Sequence, residues 1–348
     1  MTEQVVLSGA TGFIAGHTIE LLLAGGYHVV ATMRDPAQTD SVAHLTALPD
    51  ADKRLELVQA DLTTDGAFDA YVRDADYVLH MASPYIVTVR NPQRDLLEPA
   101  LRGTMSMLES CSKANHLKRV VLTSSMAAIT DEPDDAHMLT EDDWNEKSSL
   151  SRNPYYYSKV RAEKAAWDYV ARHSPAWDLV VINPFMVMGP SMSRRLNEST
   201  KIVADMLNGK FPAIMPLTWG IVDVRDVAKA HVLAMTAPSA AGRYICAAQT
   251  RPMRAIVDLL KRSGFSGSKL PSLSMESALG TKIAYGLSYV QPKGVGTYLR
   301  THLDRTPRFD NSKIRHDLKL EFRDVDATIV DTAVDLAHWG HTKKPQPA

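Results

Sequence analysis

Short apolar runs alternate with amphipathic stretches along the first half of the chain. Gln4-Val5-Val6-Leu7-Ser8-Gly9 is the first run, apolar at consecutive positions and ended by glycine, the pattern of a strand buried on both faces. From Phe13 to about Ala24, Ile14, Ile19, Leu21, Leu22 and Leu23 predict a helix, which Gly25-Gly26 stops. Residues 27–33, 55–60, 76–81, 118–123 and 177–183 repeat the strand signal. Before the fifth strand, Leu97, Leu101, Thr104, Leu108 and Cys111 recur at three- and four-residue steps and predict a long helix. Strands alternating with helices require crossovers, and right-handed crossovers cover a parallel sheet on both faces. The expected fold class is α/β, a doubly wound parallel sheet with ligands at the carboxyl ends of its strands.

After about residue 185 the rhythm loosens, and Gly189-Pro190, Pro212, Pro216, Pro238 and Gly242 interrupt short segments. Residues 221–228 and 243–247 read as strands that return to the main sheet. The expected organisation is therefore a nucleotide domain over 1–185 with returning segments near 219–247. A smaller mixed lobe over 186–342 is expected to bind substrate, and 343–348 to be a flexible tail. No internal repeat or low-complexity tract interrupts this plan.

Composition narrows the function classes. The chain is 45% hydrophobic and 23% charged with a formal charge of -1, which gives no electrostatic reason for a nucleic-acid or membrane partner. Cys111 and Cys246 fit no metal or redox spacing and read as buried thiols of a reducing compartment. His338 and His341 lack a third ligand nearby, so no metal is expected. No apolar run approaches the roughly 20 residues a bilayer demands. A strand almost at the first residue leaves no room for a signal peptide, and the expected location is cytoplasmic. Monomer and homodimer both stay open.

Gly9-Ala10-Thr11-Gly12-Phe13-Ile14-Ala15-Gly16 lies between the first strand and the first helix, where a Rossmann-type phosphate loop belongs. Gly9 suits the tight turn, Gly12 admits a pyrophosphate to the backbone amides, and the helix start favours the anion. Arg34 ends the second strand, at the position that faces the adenosine ribose. A carboxylate there would accept from a free 2′-hydroxyl, whereas arginine pairs with a 2′-phosphate, so NADP(H) is expected over NAD(H). Asp61 and Leu62 follow the third strand toward the adenine. Met81, Ala82 and Ser83 follow the fourth, where small residues let backbone pass the ribose and nicotinamide.

Asn153-Pro154-Tyr155-Tyr156-Tyr157-Ser158-Lys159 opens a further predicted helix. One turn separates Tyr155 from Lys159, so phenol and ammonium share a face that continues through the small residues Ala162 and Ala166. Neither Tyr156 nor Tyr157 has that spacing to Lys159. Thr123-Ser124-Ser125-Met126 closes the fifth strand with hydroxyls near the same crevice. Ser125 and Tyr155 are expected to donate to a substrate carbonyl oxygen as hydride reaches its carbon. A free phenol has a pKa of about 10, too high for proton transfer near neutrality; the Lys159 cation and the oxidised nicotinamide would lower it.

The glycine loop, Thr123-Ser124-Ser125, Tyr155 with Lys159, and residues 222–228 together resemble the extended short-chain dehydrogenase/reductase superfamily. Thr32-Met33-Arg34-Asp35-Pro36, Ala60-Asp61-Leu62 and His80-Met81-Ala82-Ser83-Pro84 resemble its branch of dihydroflavonol 4-reductases, cinnamoyl-CoA reductases and microbial aldehyde/ketone reductases. That resemblance implies an NADPH-dependent carbonyl reductase with Ser125, Tyr155 and Lys159 catalytic, and with Pro184 and Val187 near the nicotinamide. It further implies a substrate cleft lined by Pro84, Tyr85, Met126, Tyr155, Phe185, Met186, Met215 and Trp219. Two positions depart from the pattern. Ala15 replaces the third glycine, and Ser41 stands where the plant reductases often carry a lysine supporting the 2′-phosphate, so Arg34 carries the phosphate preference. A nucleotide-sugar epimerase or dehydratase on the same scaffold is the competing reading. Met126-Ala127 replaces the acidic pair a dehydratase would carry after the serine, and no basic cluster for a nucleoside diphosphate is evident. A non-catalytic NADP(H) sensor is the third reading, against which the complete constellation argues.

Overall fold

The computed structural model describes residues 2–83 and 90–346. Its strands are β1 (Gln4–Ser8), β2 (His28–Met33), β3 (Leu55–Gln59), β4 (Tyr77–His80), β5 (Arg119–Thr123), β6 (Met138–Leu139), β7 (Asp178–Pro184), β8 (Met186–Met188), β9 (Thr218–Asp223), β10 (Gly242–Cys246), β11 (Gln249–Pro252) and β12 (Arg308–Phe309). Seven of them form one parallel sheet in the order β10-β7-β5-β4-β1-β2-β3. The chain winds outward from β1 to β3, then resumes at β4 on the other side of β1. Consecutive crossovers leave β1 in opposite directions, and the crevice between β1 and β4 is the switch point of a doubly wound fold.

Each face of the sheet buries alternate residues of β1. Val5 and Leu7 pack with Ile19 and Leu22 of the helix Phe13–Ala24 and with Val227 and Ala230 of the helix Val224–Thr236. Val6 faces the other layer, where it joins Met107 and Leu108 of the helix Glu98–Cys111 and Ala166 and Tyr169 of the helix Pro154–His173. Fully burying each such aliphatic side chain contributes about 1.5–3 kcal/mol, so the strands that frame the crevice are anchored from both layers.

The stretch 221–228 corrects the sequence reading. Its residues up to Asp223 are strand, but β9 pairs with β8 and β11 in a separate three-stranded sheet rather than with the main one. From Val224 the chain is helical. Asp223 caps the new helix by accepting the Arg225 amide at 2.8 Å, and Val224, Val227, Ala228 and His231 are buried at helical spacing. The expected return to the main sheet is made by β10 alone, alongside β7.

The remaining helices, Glu198–Leu207, Met253–Leu260 and Val325–His338 among them, enclose a second core with Val203, Met206, Ile256 and Ile329. Beside it, β12 pairs with β6, so the lobe also holds the loop between β5 and the helix Pro154–His173. Gln346, in the terminal stretch expected to fray, donates its amide to the Gly264 carbonyl at 2.8 Å.

Candidate active site

The glycine loop is shaped by how closely two strand ends approach. Gly9 has φ +81, and a Cβ there would lie 2.9 Å from the Ala82 Cα just beyond β4. Gly12 precedes the helix Phe13–Ala24 in an extended conformation and is exposed, and the first turn carries neither an acidic residue nor a side-chain cap. The helix therefore presents its positive end, without a competing carboxylate, at the mouth of the crevice. Ala15 is 1% exposed, so the place of a third glycine is filled by a small side chain packed within the core. Thr11, Phe13 and Ile14 are half-buried around the loop, Phe13 edge-on to His17.

Beyond β4 the chain is latched. Ser8 Oγ accepts the amides of Met81 and Ala82, each at 3.1 Å, and lies 2.8 Å from His80 Nδ1. With both amides donating to it, the hydroxyl proton goes to Nδ1, which fixes His80 as the Nε2–H tautomer. Burial, helped by the Lys159 charge, lowers the His80 pKa to about 3, so the ring is neutral and purely structural at ordinary pH. Met81, Ala82 and Ser83 are thereby held as one rigid step above Gly9.

Lys159 crosses to that step. Its side chain is nearly buried, and its Nζ donates to Ser83 Oγ at 3.0 Å. Burial pushes the ammonium down to about 8, with the Glu163 carboxylate opposing the fall. Pro154 opens the helix at its first position, where a missing amide costs nothing. Tyr155 is half-buried one turn before Lys159, hence on the same face and nearer the helix start, and its ring meets Tyr156 edge-on at 6.0 Å. Ser125 follows β5, and its Oγ accepts the Ala127 amide at 3.2 Å, which leaves the hydroxyl proton to donate elsewhere. Ser124 and the carboxamide of Asn183 on β7 both donate to Glu163, one further turn along the Tyr155–Lys159 face. The ends of β4, β5 and β7 are thus drawn to a single side of one helix.

A family model described as the NAD dependent epimerase/dehydratase family matches residues 5–247. The chain belongs to this family. Among its relatives, cinnamoyl-CoA reductase CAD2 of Medicago truncatula is 41% identical over 267 residues, which are 74% of this chain and 79% of that protein. Tetraketide alpha-pyrone reductase 1 of Arabidopsis thaliana is 33% identical over 99% of this chain and 98% of its own. The crystal structure of yeast methylglyoxal/isovaleraldehyde reductase Gre2 complexed with NADPH superposes with a TM-score of 0.79 at 31% identity, covering 97% of this chain and 99% of that one.

Around this epimerase/dehydratase-family core, the other expected site residues divide. Arg34 is exposed and forms no ion pair among the described residues, while Asp35 accepts instead from the Ala37 amide and Gln38. Asp61 accepts from both the amide and the hydroxyl of Thr63, and these bonds, with the Arg34 charge, hold it below the usual carboxylate range. Leu62 is turned toward the helix Glu98–Cys111, where it fills the space left by Gly103. Pro184 and Val187 are buried at the end of β7 and in β8. Phe185 lies tilted against Phe309, ring centroids 4.8 Å apart, and shares a small core with Met126. Met186 and Met215 are half-buried against the lobe core, and Trp219 is 6% exposed with its indole donating to Tyr298 at 2.8 Å. Pro84 and Tyr85 lie outside the described residues. Sequence reading missed Glu163, Asn183 and Arg243; the signal for Glu163 was its four-residue step beyond Lys159.

Proposed function

We propose that the chain reduces the carbonyl group of a small, largely apolar or aryl aldehyde or ketone to an alcohol, with Tyr155 as proton donor. It is an NADP(H)-dependent oxidoreductase, and the residues present fit that cofactor. The cradle at Gly9 admits no side chain, and the helix start beyond Gly12 carries no acid. Arg34, exposed and without an ion-pair partner among the described residues, offers its guanidinium to the 2′-phosphate. Bound there, NADPH supplies the hydride.

The chain's own residues do the rest. Ser125 and Tyr155 donate hydrogen bonds to the carbonyl oxygen and fix its orientation. As negative charge gathers on that oxygen, the Tyr155 phenol passes its proton to it. Lys159, cationic below about pH 8, stabilises the resulting phenolate. Ser83 holds the Lys159 ammonium in place and keeps it from wandering to solvent. Met126, Phe185 and Phe309 offer an apolar and aromatic wall for the substrate body.

The observation that carries this reading is the Lys159–Ser83 hydrogen bond, because it joins the Tyr155 helix to the strand end packed on the glycine loop. Tyr155→Phe is expected to lower the turnover of aromatic ketones and aldehydes by about 10²–10⁴-fold, read as NADPH absorbance, while NADPH affinity changes little. Residual activity above a tenth of the parent's would refute the proton-donor role. Stoichiometric NADPH consumption also distinguishes reduction from epimerisation, in which the cofactor is regenerated each cycle.

A further inference from the structure

The face that carries Tyr155 and Lys159 continues to Glu163, four residues on, and this carboxylate is fully buried. Its two oxygens collect three elements. Oε1 is paired with the Arg243 Nε of β10. Oε2 accepts the hydroxyl of Ser124 and, at 2.8 Å, the carboxamide of Asn183. The same Asn183 nitrogen lies 3.2 Å from the backbone carbonyl of Ser125. Arg243 is itself fixed from behind, stacked 3.8 Å over Trp144 and donating Nη1 to the carbonyls of Glu141 and Asp143. A buried ion pair is weak support for stability, since well-packed apolar residues often serve as well. What an apolar pair could not supply is a negative charge one turn from the buried Lys159.

We propose that Glu163 is a positioning residue of the active site, registering Ser125 on the Tyr155–Lys159 helix and supplying the counter-charge that the Lys159 ammonium needs. The inference rests on the assignment of Tyr155 and Lys159 made above. Other groups around Lys159 do not compete for this role. His80 on β4 is buried and neutral, and Ser83, Ser124 and Ser125 carry no charge. On the helix and turn packed alongside, Arg94 and Asp95 pair with each other, Glu98 is exposed, and burial raises the Cys111 pKa so that it stays a thiol. Arg243 is the opposing cation, paired with Glu163.

The test is the pH dependence of kcat for NADPH-driven ketone reduction from pH 6 to 10, for the parent, Glu163→Gln and Tyr155→Phe. Without its counter-charge Lys159 loses its proton at lower pH. In Glu163→Gln the alkaline limb should therefore move toward neutrality by about one unit, with activity near pH 8.5 falling roughly tenfold. NADPH affinity, read by fluorescence titration, should stay within about twofold. Where Glu163→Gln leaves Arg243 unpaired and does not fold, the double variant Glu163→Gln/Arg243→Met removes both charges and should show a limb displaced in the same direction by a smaller amount. Active Tyr155→Phe would sink the functional assignment itself. With Tyr155→Phe inactive, an unmoved alkaline limb in the folded Glu163 variant overturns this proposal, as does failure of both Glu163 variants to fold, which would make the residue an anchor of stability alone.

Discussion

Gly9→Ala separates two demands that one glycine meets. The first is conformational: at φ +81 an alanine is strained by roughly 1–2 kcal/mol. The second is spatial. The new Cβ would sit 2.9 Å from the Ala82 Cα and 3.1 Å from its amide nitrogen, and these are backbone atoms that Ser8 latches in place. Overpacking of this kind costs typically about 1–3 kcal/mol, so the substitution should destabilise by roughly 2–5 kcal/mol in all. Gly242 provides the internal control. It has φ +72, but a methyl group added there would meet nothing within 4 Å, so Gly242→Ala should cost the conformational part alone. Urea unfolding of the two variants measures the difference, and NADPH fluorescence titration measures its effect on the crevice. Gly9→Ala should unfold at the lower urea concentration and bind NADPH weakly, because displacing Ala82 moves the step that carries Ser83. Equal stability of the two variants, with parent-like NADPH affinity in Gly9→Ala, would refute the close-approach argument.

Two further outcomes are expected. Arg34→Asp should move preference from NADPH toward NADH by about 10–100-fold, the worth of charge-assisted hydrogen bonds to the 2′-phosphate, and an unchanged ratio of kcat/KM values would remove Arg34 from cofactor choice. His231 is fully buried, takes the Thr123 hydroxyl on Nε2 and donates Nδ1–H to the Val227 carbonyl, and burial lowers its pKa from 6.5 to about 4. Between those values the unfolded chain binds the extra proton, so stability is lost as pH falls from 6.5 toward 4, by up to about 3 kcal/mol. His231→Gln should flatten the dependence of the urea midpoint over that interval, and an unaltered slope would count against it.

The main sheet was legible because inner parallel strands buried on both faces appear in the sequence as apolar runs, and β1, β2, β4, β5 and β7, with the half-exposed edge strand β3, fall within a residue or two of the expected ends. The stretch 221–228 misled for a related reason. Val222, Val224 and Val227 bracket Asp223, Arg225 and Asp226, which fits a period of two as far as Arg225; the helical period shows only when His231 and Ala234 are counted. Charged residues were the least legible. Glu163 and Arg243 look like members of solvated faces, and only the fold brings residues 80 positions apart into one buried pair. Trp219, expected at the cleft, packs in the lobe core with its indole donating to Tyr298, a contact that no short spacing announces. A pairing written at short spacing, as in Tyr155 with Lys159 on one helix face, is legible in a single sequence, while contacts assembled from distant strand ends are not.

The seat of Arg243 on β10 has a consequence for how the chain matures. A polypeptide that has emerged only as far as β7 possesses the glycine loop, the Ser125 strand end and the whole Tyr155–Lys159 helix, yet it would hold Glu163 without its cation. Leaving one member of a buried ion pair alone costs on the order of 3–5 kcal/mol, a large share of a typical domain's stability. The seat of the helix Pro154–His173 thus draws on residue 243, some 65 positions after β7 begins. The charge of Glu163 is balanced only by a residue that lies beyond the whole segment between β8 and β10.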